Sequence, residues 1–213
     1  FLGLGIGQLV FGPLSDSFGR KPMVYIGFVL FTIASFVCVY ADSLELMIAG
    51  RILQGVGLSS PRTISIAIIR DTYEGNYMAR IMSFVTVVFL IIPTIAPALG
   101  KFFLDLINWQ SIFYVQLAFA IIIGIWFKAR QEETLDEENK IPFKASLFVN
   151  GLKEIFKYKT TVGYTIINGF ITGAFLVYIS ASQQIFQQQY NMAEEFPLIF
   201  AGLAIAIGGA TFM

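Results

Sequence analysis

Long apolar runs separated by short polar segments are the main pattern along the chain. Several runs reach the roughly 18 uncharged residues that indicate a membrane-spanning helix. The pattern therefore predicts an all-α membrane protein with several spans rather than a soluble domain. We expect the spans at 1–14, 22–41, 44–69, 80–106, 109–127, 160–187 and 196–213.

The first and last apolar runs indicate that the sequence is a fragment of a longer protein. Residues 1–14 are too few to cross a hydrocarbon core of about 30 Å at about 1.5 Å per residue. They also begin without a methionine or the basic start of a signal peptide. We expect that the chain begins inside a helix, that the last run continues past Met213, and that both ends of the protein are missing.

Composition narrows the possible functions. Hydrophobic residues make up 56% of the chain and charged residues 13%, and the formal net charge is +0, so no basic surface for nucleic acid is expected. Histidine is absent and Cys38 is the single cysteine, which argues against disulfides and His/Cys metal sites. Serines therefore have no histidine base. We predict no enzyme activity, no cofactor and no metal.

Basic residues lie mainly in alternate connections. The turns at 16–21 and 70–80 and the long stretch at 128–159 carry most of the Lys and Arg, whereas the opposite turns carry almost none. The positive-inside rule places the basic group in the cytoplasm. With one more span upstream, the spans before the long stretch would form half of a six-plus-six transporter. We predict three parts: the rest of the N-terminal half at 1–127, a cytoplasmic linker at 128–159, and the start of the C-terminal half at 160–213.

The linker changes character along its length. It opens with an acidic run, Glu132 to Glu138, which is most simply a solvated segment with exposed carboxylates. Apolar residues then recur at helical spacing, which predicts an amphipathic helix in the cytoplasmic membrane interface. A calmodulin-like target or regulatory segment is the alternative. The apolar positions are Phe143, Leu147, Phe148, Leu152, Ile155 and Phe156.

A dense turn, GQLVFGPLSDSFGRKP, joins the first two spans. Apolar residues run into Gly12-Pro13, which predicts that the first helix ends near Ser15. Asp16 then lies at the negative end of its own helix dipole, an unfavourable place for an anion unless a cation or another helix N-terminus comes close. The residues singled out in this turn are Gly12, Pro13, Asp16, Gly19, Arg20 and Lys21.

This turn resembles the signature loop between the second and third helices of major facilitator superfamily transporters. The pattern SDxxGRKP, with Gly7-Gln8 before it, is most similar to drug:proton antiporters of the bicyclomycin/chloramphenicol resistance (Bcr/CflA) type. The resemblance implies a polytopic membrane helix bundle with a partial major facilitator fold, covering about helices two to eight of twelve. For a lone Arg-Lys pair, an ordinary basic turn is the alternative.

The third predicted span carries polar residues that a lipid-facing helix would avoid. Arg51 and Arg62 are eleven positions apart, close to three turns, so they share a face with Gln54 close to it. An arginine at the centre of a membrane helix costs about 2.5–3.5 kcal/mol on insertion scales and normally faces protein or water. This row of polar residues on one helix face predicts a water-filled cavity beside the helix. Snorkelling of the side chain to the membrane surface is the alternative for each arginine.

The sequence around this row of polar residues resembles the fourth helix of the same family. Its motif RxxQGxG falls on Arg51, Gln54, Gly55 and Gly57. In the family this arginine is associated with proton coupling, a role the resemblance implies for Arg51. A second resemblance places Asp71 where it would join Asp16 and Arg20, with Lys21 beside them, in a charge cluster that holds the two half-bundles shut.

The fourth predicted span contains Pro93, Pro97 and Gly100. Prolines remove backbone donors, so we expect the helix to be broken or kinked there. Pro97 and Gly100 fit the antiporter motif of the family's fifth helix, and Pro93 is closer to the bicyclomycin-resistance branch. A plain packing kink is the alternative.

Uncharged polar residues within the spans are candidates for a substrate cavity. Such groups form either helix-to-helix hydrogen bonds or ligand contacts. With the many surrounding aromatic residues, they suit a largely apolar ligand. The candidates are Gln8, Gln116, Asn168, Thr172, Gln183 and Gln184.

The resemblance implies proton-driven efflux of drugs or small amphipathic molecules across the bacterial inner membrane by alternating access. We expect the substrate, protons and the lipid bilayer as partners, no nucleic acid, and a monomer. The alternatives are a proton-coupled importer or metabolite exporter of the same fold, and a seven-span receptor or scaffold. No acid lies in the middle of a predicted span, so we expect the proton-carrying acid in the missing first helix.

Overall fold

The computed structural model describes residues 1–192, 195–196 and 198–202, apart from the side chains of residues 90, 93, 94, 145, 147, 148 and 152. These residues form helices joined by short turns and, at 131–144, by a longer segment, which confirms the all-α fold. A 3₁₀ turn lies at Glu137–Asn139. The helices are α1 (Leu2–Phe18), α2 (Arg20–Val39), α3 (Leu44–Thr72), α4 (Gly75–Leu106), α5 (Gln110–Arg130), α6 (Ala145–Lys157) and α7 (Lys159–Gln189).

Among the described residues, four helices are long and apolar enough to cross a membrane: α2, α3, α5 and α7. They correspond to the predicted spans at 22–41, 44–69, 109–127 and 160–187. α1 has 17 residues and covers all but the first residue of the predicted run at 1–14. α4 has 32 residues and covers the predicted fourth span. The last predicted span is helical at Phe196 and 198–202 and lies otherwise outside the described residues.

Two predicted helix interruptions are wrong. α1 does not end near Ser15 but continues to Phe18 with Pro13 inside it. α4 is not broken at Pro93 or Pro97 and runs unbroken from Gly75 to Leu106. A proline removes one backbone donor, and membrane helices tolerate this because neighbouring groups and small local adjustments satisfy the freed carbonyl.

The chain divides into two compact units. The first comprises Phe1–Ile81 and Phe103–Phe143, and the second comprises Met82–Phe102 and the described residues from Lys144 onward. In the first unit α3 packs against α1 and α2, and α5 packs against α2. In the second unit α6 packs against α7.

Small residues allow α2 and α3 to approach closely. A Cβ at Gly57 would collide with the backbone of Phe31 and the carbonyl of Gly27. Ser60, on the same face of α3, donates its hydroxyl to the Met23 carbonyl at 2.7 Å. Lipid is as apolar as a helix surface, so membrane helices associate through this kind of close packing and interhelical hydrogen bonding.

α1 packs on α3 in the same way. Gly3 and Gly7 are buried, and a Cβ at either would overlap α3, at the Ile52 carbonyl or the Ser59 hydroxyl. A Cβ at Gly55 would in turn lie 3.0 Å from the backbone nitrogen of Leu4. These contacts fix α3 between α1 and α2 and so position its polar residues.

The predicted amphipathic helix is present as α6, although it begins after Phe143. Phe143 instead packs against Phe18, with 6.2 Å between the ring centroids. Ile155 and Phe156 are exposed, and the other predicted apolar side chains, Leu147, Phe148 and Leu152, lie outside the description. Binding of α6 to the membrane surface stays a prediction.

Candidate functional site

A single buried guanidinium joins the end of α1 to the end of α3. Arg20, the first residue of α2, is 8% exposed. Its Nε donates to Asp71 Oδ2 at 2.9 Å, and its Nη1 donates to Asp16 Oδ1 at 2.5 Å. The expected proximity of these three residues is confirmed. The positive charge of Arg20 also offsets the unfavourable interaction of Asp16 with the negative end of the α1 helix dipole.

Two features of this cluster differ from the prediction. Ser15, which the sequence analysis did not single out, is buried and accepts a hydrogen bond from Arg20 Nη1 at 2.7 Å. Its hydroxyl in turn donates to the Gly12 carbonyl at 2.8 Å. The side chain of Lys21 forms no ion pair with another residue of the described ranges. Lys21 contributes its backbone N–H instead.

The acidic run is not simply a solvated segment, because one of its members binds the start of α2. Glu133 Oε1 accepts the Arg20 N–H at 2.9 Å, and Oε2 accepts the Lys21 N–H at 3.0 Å. Partial burial disfavours the charge, but the N–H groups of Lys21, Arg20, Leu135 and Thr134 together hold the pKa of Glu133 below its usual value. The prediction of a simply solvated segment is therefore wrong at this position.

A second polar network centres on Gln54, which is 5% exposed. Arg51 Nη1 donates to Gln54 Oε1 at 2.7 Å. Gln54 Nε2 donates to Ser35 Oγ at 2.8 Å and to Gln116 Oε1 at 3.1 Å. Both the oxygen and the nitrogen of the buried Gln54 amide thus have hydrogen-bond partners, as buried polar groups require. The network joins α2, α3 and α5.

This network borders a cavity of about 540 Å³. The Arg51 guanidinium lies 5.6 Å from the centroid of the Phe113 ring, within the range of a cation–π contact. Arg51 is an exposed residue, and its side chain lines this cavity. The residues lining the cavity are Phe1, Leu4, Phe28, Phe31, Arg51, Gln54, Gly55, Leu58, Pro61, Gln116, Phe119, Ala120 and Ile123.

A second cavity, of about 780 Å³, adjoins the charge cluster. Arg62 and Gln8 line it together with Asp16, Arg20 and Asp71. The two predicted arginines therefore line different cavities. The reason is distance along the helix, because eleven residues at about 1.5 Å each separate them by about 16 Å. Gln8 and Gln116, on α1 and α5, also line different cavities.

The remaining candidates belong to α4 and α7 in the second unit. Asn168, Thr172, Gln183 and Gln184 lie exposed on α7, in the second unit. On α4, a Cβ at Gly100 would meet no described atom within 4 Å. Their roles stay predictions.

The whole chain, residues 1–213, matches the Major Facilitator Superfamily. The chain belongs to this superfamily. Major facilitator proteins are transporters and not enzymes, so membership in this family argues against the alternative of a seven-span receptor or scaffold. The predicted resemblance to this family is confirmed.

Individual major facilitator relatives carry more specific names. The chain is 31% identical over 212 residues to the uncharacterized MFS-type transporter YdgK of Bacillus subtilis, covering 97% of the chain and 53% of that protein. It is 27% identical over 212 residues to a bicyclomycin resistance protein homolog of Haemophilus influenzae, covering 99% and 53%. It is 34% identical over 123 residues to multidrug resistance protein MdtL of Salmonella dublin, covering 58% and 31%. The chain thus spans about half the length, or less, of these relatives.

Proposed function

We propose that the chain is part of a proton-coupled exporter of drugs or small amphipathic molecules in the bacterial inner membrane. One observation carries this proposal: the Arg51–Gln54–Gln116 network faces a cavity with aromatic walls. Mostly apolar walls with a few placed polar groups suit an amphipathic ligand. The similarity to proteins named for bicyclomycin and multidrug resistance also supports export of drugs.

Arg51 is the proposed proton-coupling residue. Gln54 and Phe113 hold its guanidinium at the cavity. A fixed cation there favours the ionised form of any carboxylate that comes near, so it lowers the pKa of that acid. Movement of the acid away from Arg51 would raise its pKa, and this change can link proton binding to a conformational step. We propose that the acid lies outside residues 1–213.

The cluster of Asp16, Arg20 and Asp71 is the proposed gate. Alternating access needs a free-energy difference of only a few kcal/mol between its states. Charge-assisted hydrogen bonds to a buried arginine are of that order. Arg62 lines the cavity beside this gate, and Lys21 lies at the same turn.

The proposed arrangement in the membrane follows from the basic connections. We infer that 1–127 belongs to the N-terminal half, that 128–159 is a cytoplasmic linker, and that 160–213 begins the C-terminal half. The gate would then open to the cytoplasm. Asn168, Thr172, Gln183 and Gln184 would contribute to the substrate path from the second half, and the transporter would act as a monomer.

The test is accumulation of a fluorescent amphipathic drug in bacteria that produce the intact protein. We expect lower accumulation than in cells with an empty vector, and loss of this difference when a protonophore collapses the proton gradient. Higher accumulation would favour the importer, whereas metabolite export without any drug effect would favour the metabolite exporter. A drug effect that survives the protonophore would rule out proton coupling.

A further inference from the structure

The segment that follows α5 is attached to the α1–α2 turn at several points. We call Gln131–Phe143 the strap. Near its end, the Ile141 N–H donates to the Asp16 carbonyl at 3.1 Å. Near its start, Thr134 Oγ1 lies 3.4 Å from Asp71 Oδ2. The strap therefore contacts both acids of the charge cluster. It binds the backbone carbonyl of Asp16 and the side-chain carboxylate of Asp71.

Glu133 makes the closest link between the strap and α2. The first N–H groups of a helix have no partner within the helix, and the helix dipole favours an anion beside them. Gly19, the N-cap residue of α2, provides no side chain to accept these hydrogen bonds. The Glu133 carboxylate accepts two of them, at 2.9 Å and 3.0 Å, from Arg20 and Lys21.

The same turn is shaped to admit this carboxylate. Gly19 has a φ of 100°, which favours glycine, and a Cβ there would lie 2.8 Å from Glu133 Oε2, so the carboxylate would have to shift. Arg20 is the key residue, because its N–H is bound by Glu133 while its side chain lies between Asp16 and Asp71. A backbone held at this point limits the directions in which the guanidinium can extend.

We propose that Glu133 is a positioning residue of the charge cluster, which caps α2 from the strap and so holds Arg20 between its two carboxylates. The inference rests on the proposed gating function of that cluster. It makes the strap a part of the gate and not only a connection to the residues that follow.

The cap is tested by hydrogen–deuterium exchange on the intact protein with Glu133→Gln. The variant keeps the size of the side chain but replaces one acceptor oxygen with an NH₂ group that cannot accept. We expect exchange at the Arg20 and Lys21 amides to become at least about tenfold faster, which corresponds to about 1.4 kcal/mol. Glu132→Gln is the matched control, because it removes the same charge from an exposed neighbour. Unchanged exchange in Glu133→Gln would overturn the proposal.

The positioning role needs a second measurement. Ile66 lines the cavity beside the cluster, so Ile66→Cys in a Cys38→Ser background reports the accessibility of that cavity to a thiol reagent. We expect Glu133→Gln to change the labelling rate at least about threefold, Glu133→Asp to restore part of it, and Arg20→Gln to abolish the dependence on Glu133. Faster amide exchange with unchanged labelling would overturn the positioning role. If Asp71→Asn also left labelling unchanged, the gating function itself would fail.

Discussion

Arg20 has two carboxylate partners of unequal exposure. The side chain of Asp71 is 23% exposed and that of Asp16 is 44% exposed. Exposed ion pairs contribute about 0–1 kcal/mol, whereas a charge-assisted bond to a well-buried group contributes about 1.5–3 kcal/mol. We therefore expect Asp71→Asn to destabilise the protein more than Asp16→Asn does. Thermal unfolding of the purified intact protein checks the order, and equal losses would contradict it.

The ionisation of Glu133 gives the strap a defined pH dependence. Because its pKa is lowered in the folded protein, its contribution is fully present above the ordinary glutamate pKa of about 4.3 and is lost as the pH falls through the lower folded value. We expect the Arg20 and Lys21 amides to be protected at neutral pH and to lose protection only in acid. The measurement is exchange corrected for the intrinsic pH effect.

Other ionisable groups lie close to this carboxylate, namely Asp16, Arg20, Lys21 and Asp71. Glu133→Gln separates its titration from theirs, because protection in this variant should vary much less with pH. A variant that kept the full acid dependence would show that one of the neighbouring groups is responsible.

At the scale of single residues, the sequence predicted the charges and missed their neutral partners. Asp16 and Arg20 were found because a charge near a membrane helix needs a counter-charge, and Asp71 was found through the family resemblance. Ser35 and Ser15 gave no such signal, since a serine on a helix is as often bonded to its own backbone. Glu133 was missed because it binds α2 across 113 positions of sequence, and nothing in an acidic run indicates which carboxylate has a partner.

At the scale of elements, the apolar runs predicted the helices well and their ends less well. Proline was expected to end α1 near Ser15, but the helix ends at Phe18 and Gly19 separates it from α2. Gly19 has φ 100° and ψ 154°, a region that is almost restricted to glycine. The backbone conformation of one glycine, rather than the missing donor of Pro13, determines the turn.

Two glycines of this turn offer a matched test. Gly19→Ala places a Cβ in a conformation that costs a non-glycine residue about 1–3 kcal/mol and near Glu133 Oε2. Gly12 lies inside α1, where an added Cβ meets nothing within 4 Å. We expect Gly19→Ala to lower the melting temperature and Gly12→Ala to leave it unchanged or slightly raise it. A tolerated Gly19→Ala would show that the turn can take another form.

The contact between α2 and α3 predicts a similar contrast. A Cβ at Gly57 would collide with backbone atoms of α2, whereas one at Gly5 meets nothing within 4 Å. Overpacking of this kind costs about 1–3 kcal/mol. We expect Gly57→Ala to reduce thermal stability and Gly5→Ala to have little effect. Equal melting temperatures would mean that the two helices separate at almost no cost.

At the scale of the molecule, the first unit holds two distinct polar regions. One is the charge cluster of Asp16, Arg20 and Asp71, and the other is the Gln54 network at the aromatic cavity. Both include α3, which is packed tightly between α1 and α2. A tilt of α3 would therefore move both regions at once. The sequence showed that polar residues recur on α3, but only the fold shows that they divide between two cavities.

Arg51 provides the test that joins this arrangement to transport. Arg51→Lys keeps the charge but loses the planar fork that binds Gln54, so we expect weaker proton-coupled export with normal membrane insertion. Arg51→Ala should impair export further, because an acid near the cavity would lose its counter-charge and its pKa would rise. The measurement is drug efflux from energised vesicles over a range of external pH. Arg130→Ala, at the exposed end of α5, removes the same charge elsewhere and should keep the wild-type profile. An unchanged pH profile in Arg51→Ala would mean that Arg51 only snorkels, since a coupling residue cannot be removed without altering the proton dependence of transport.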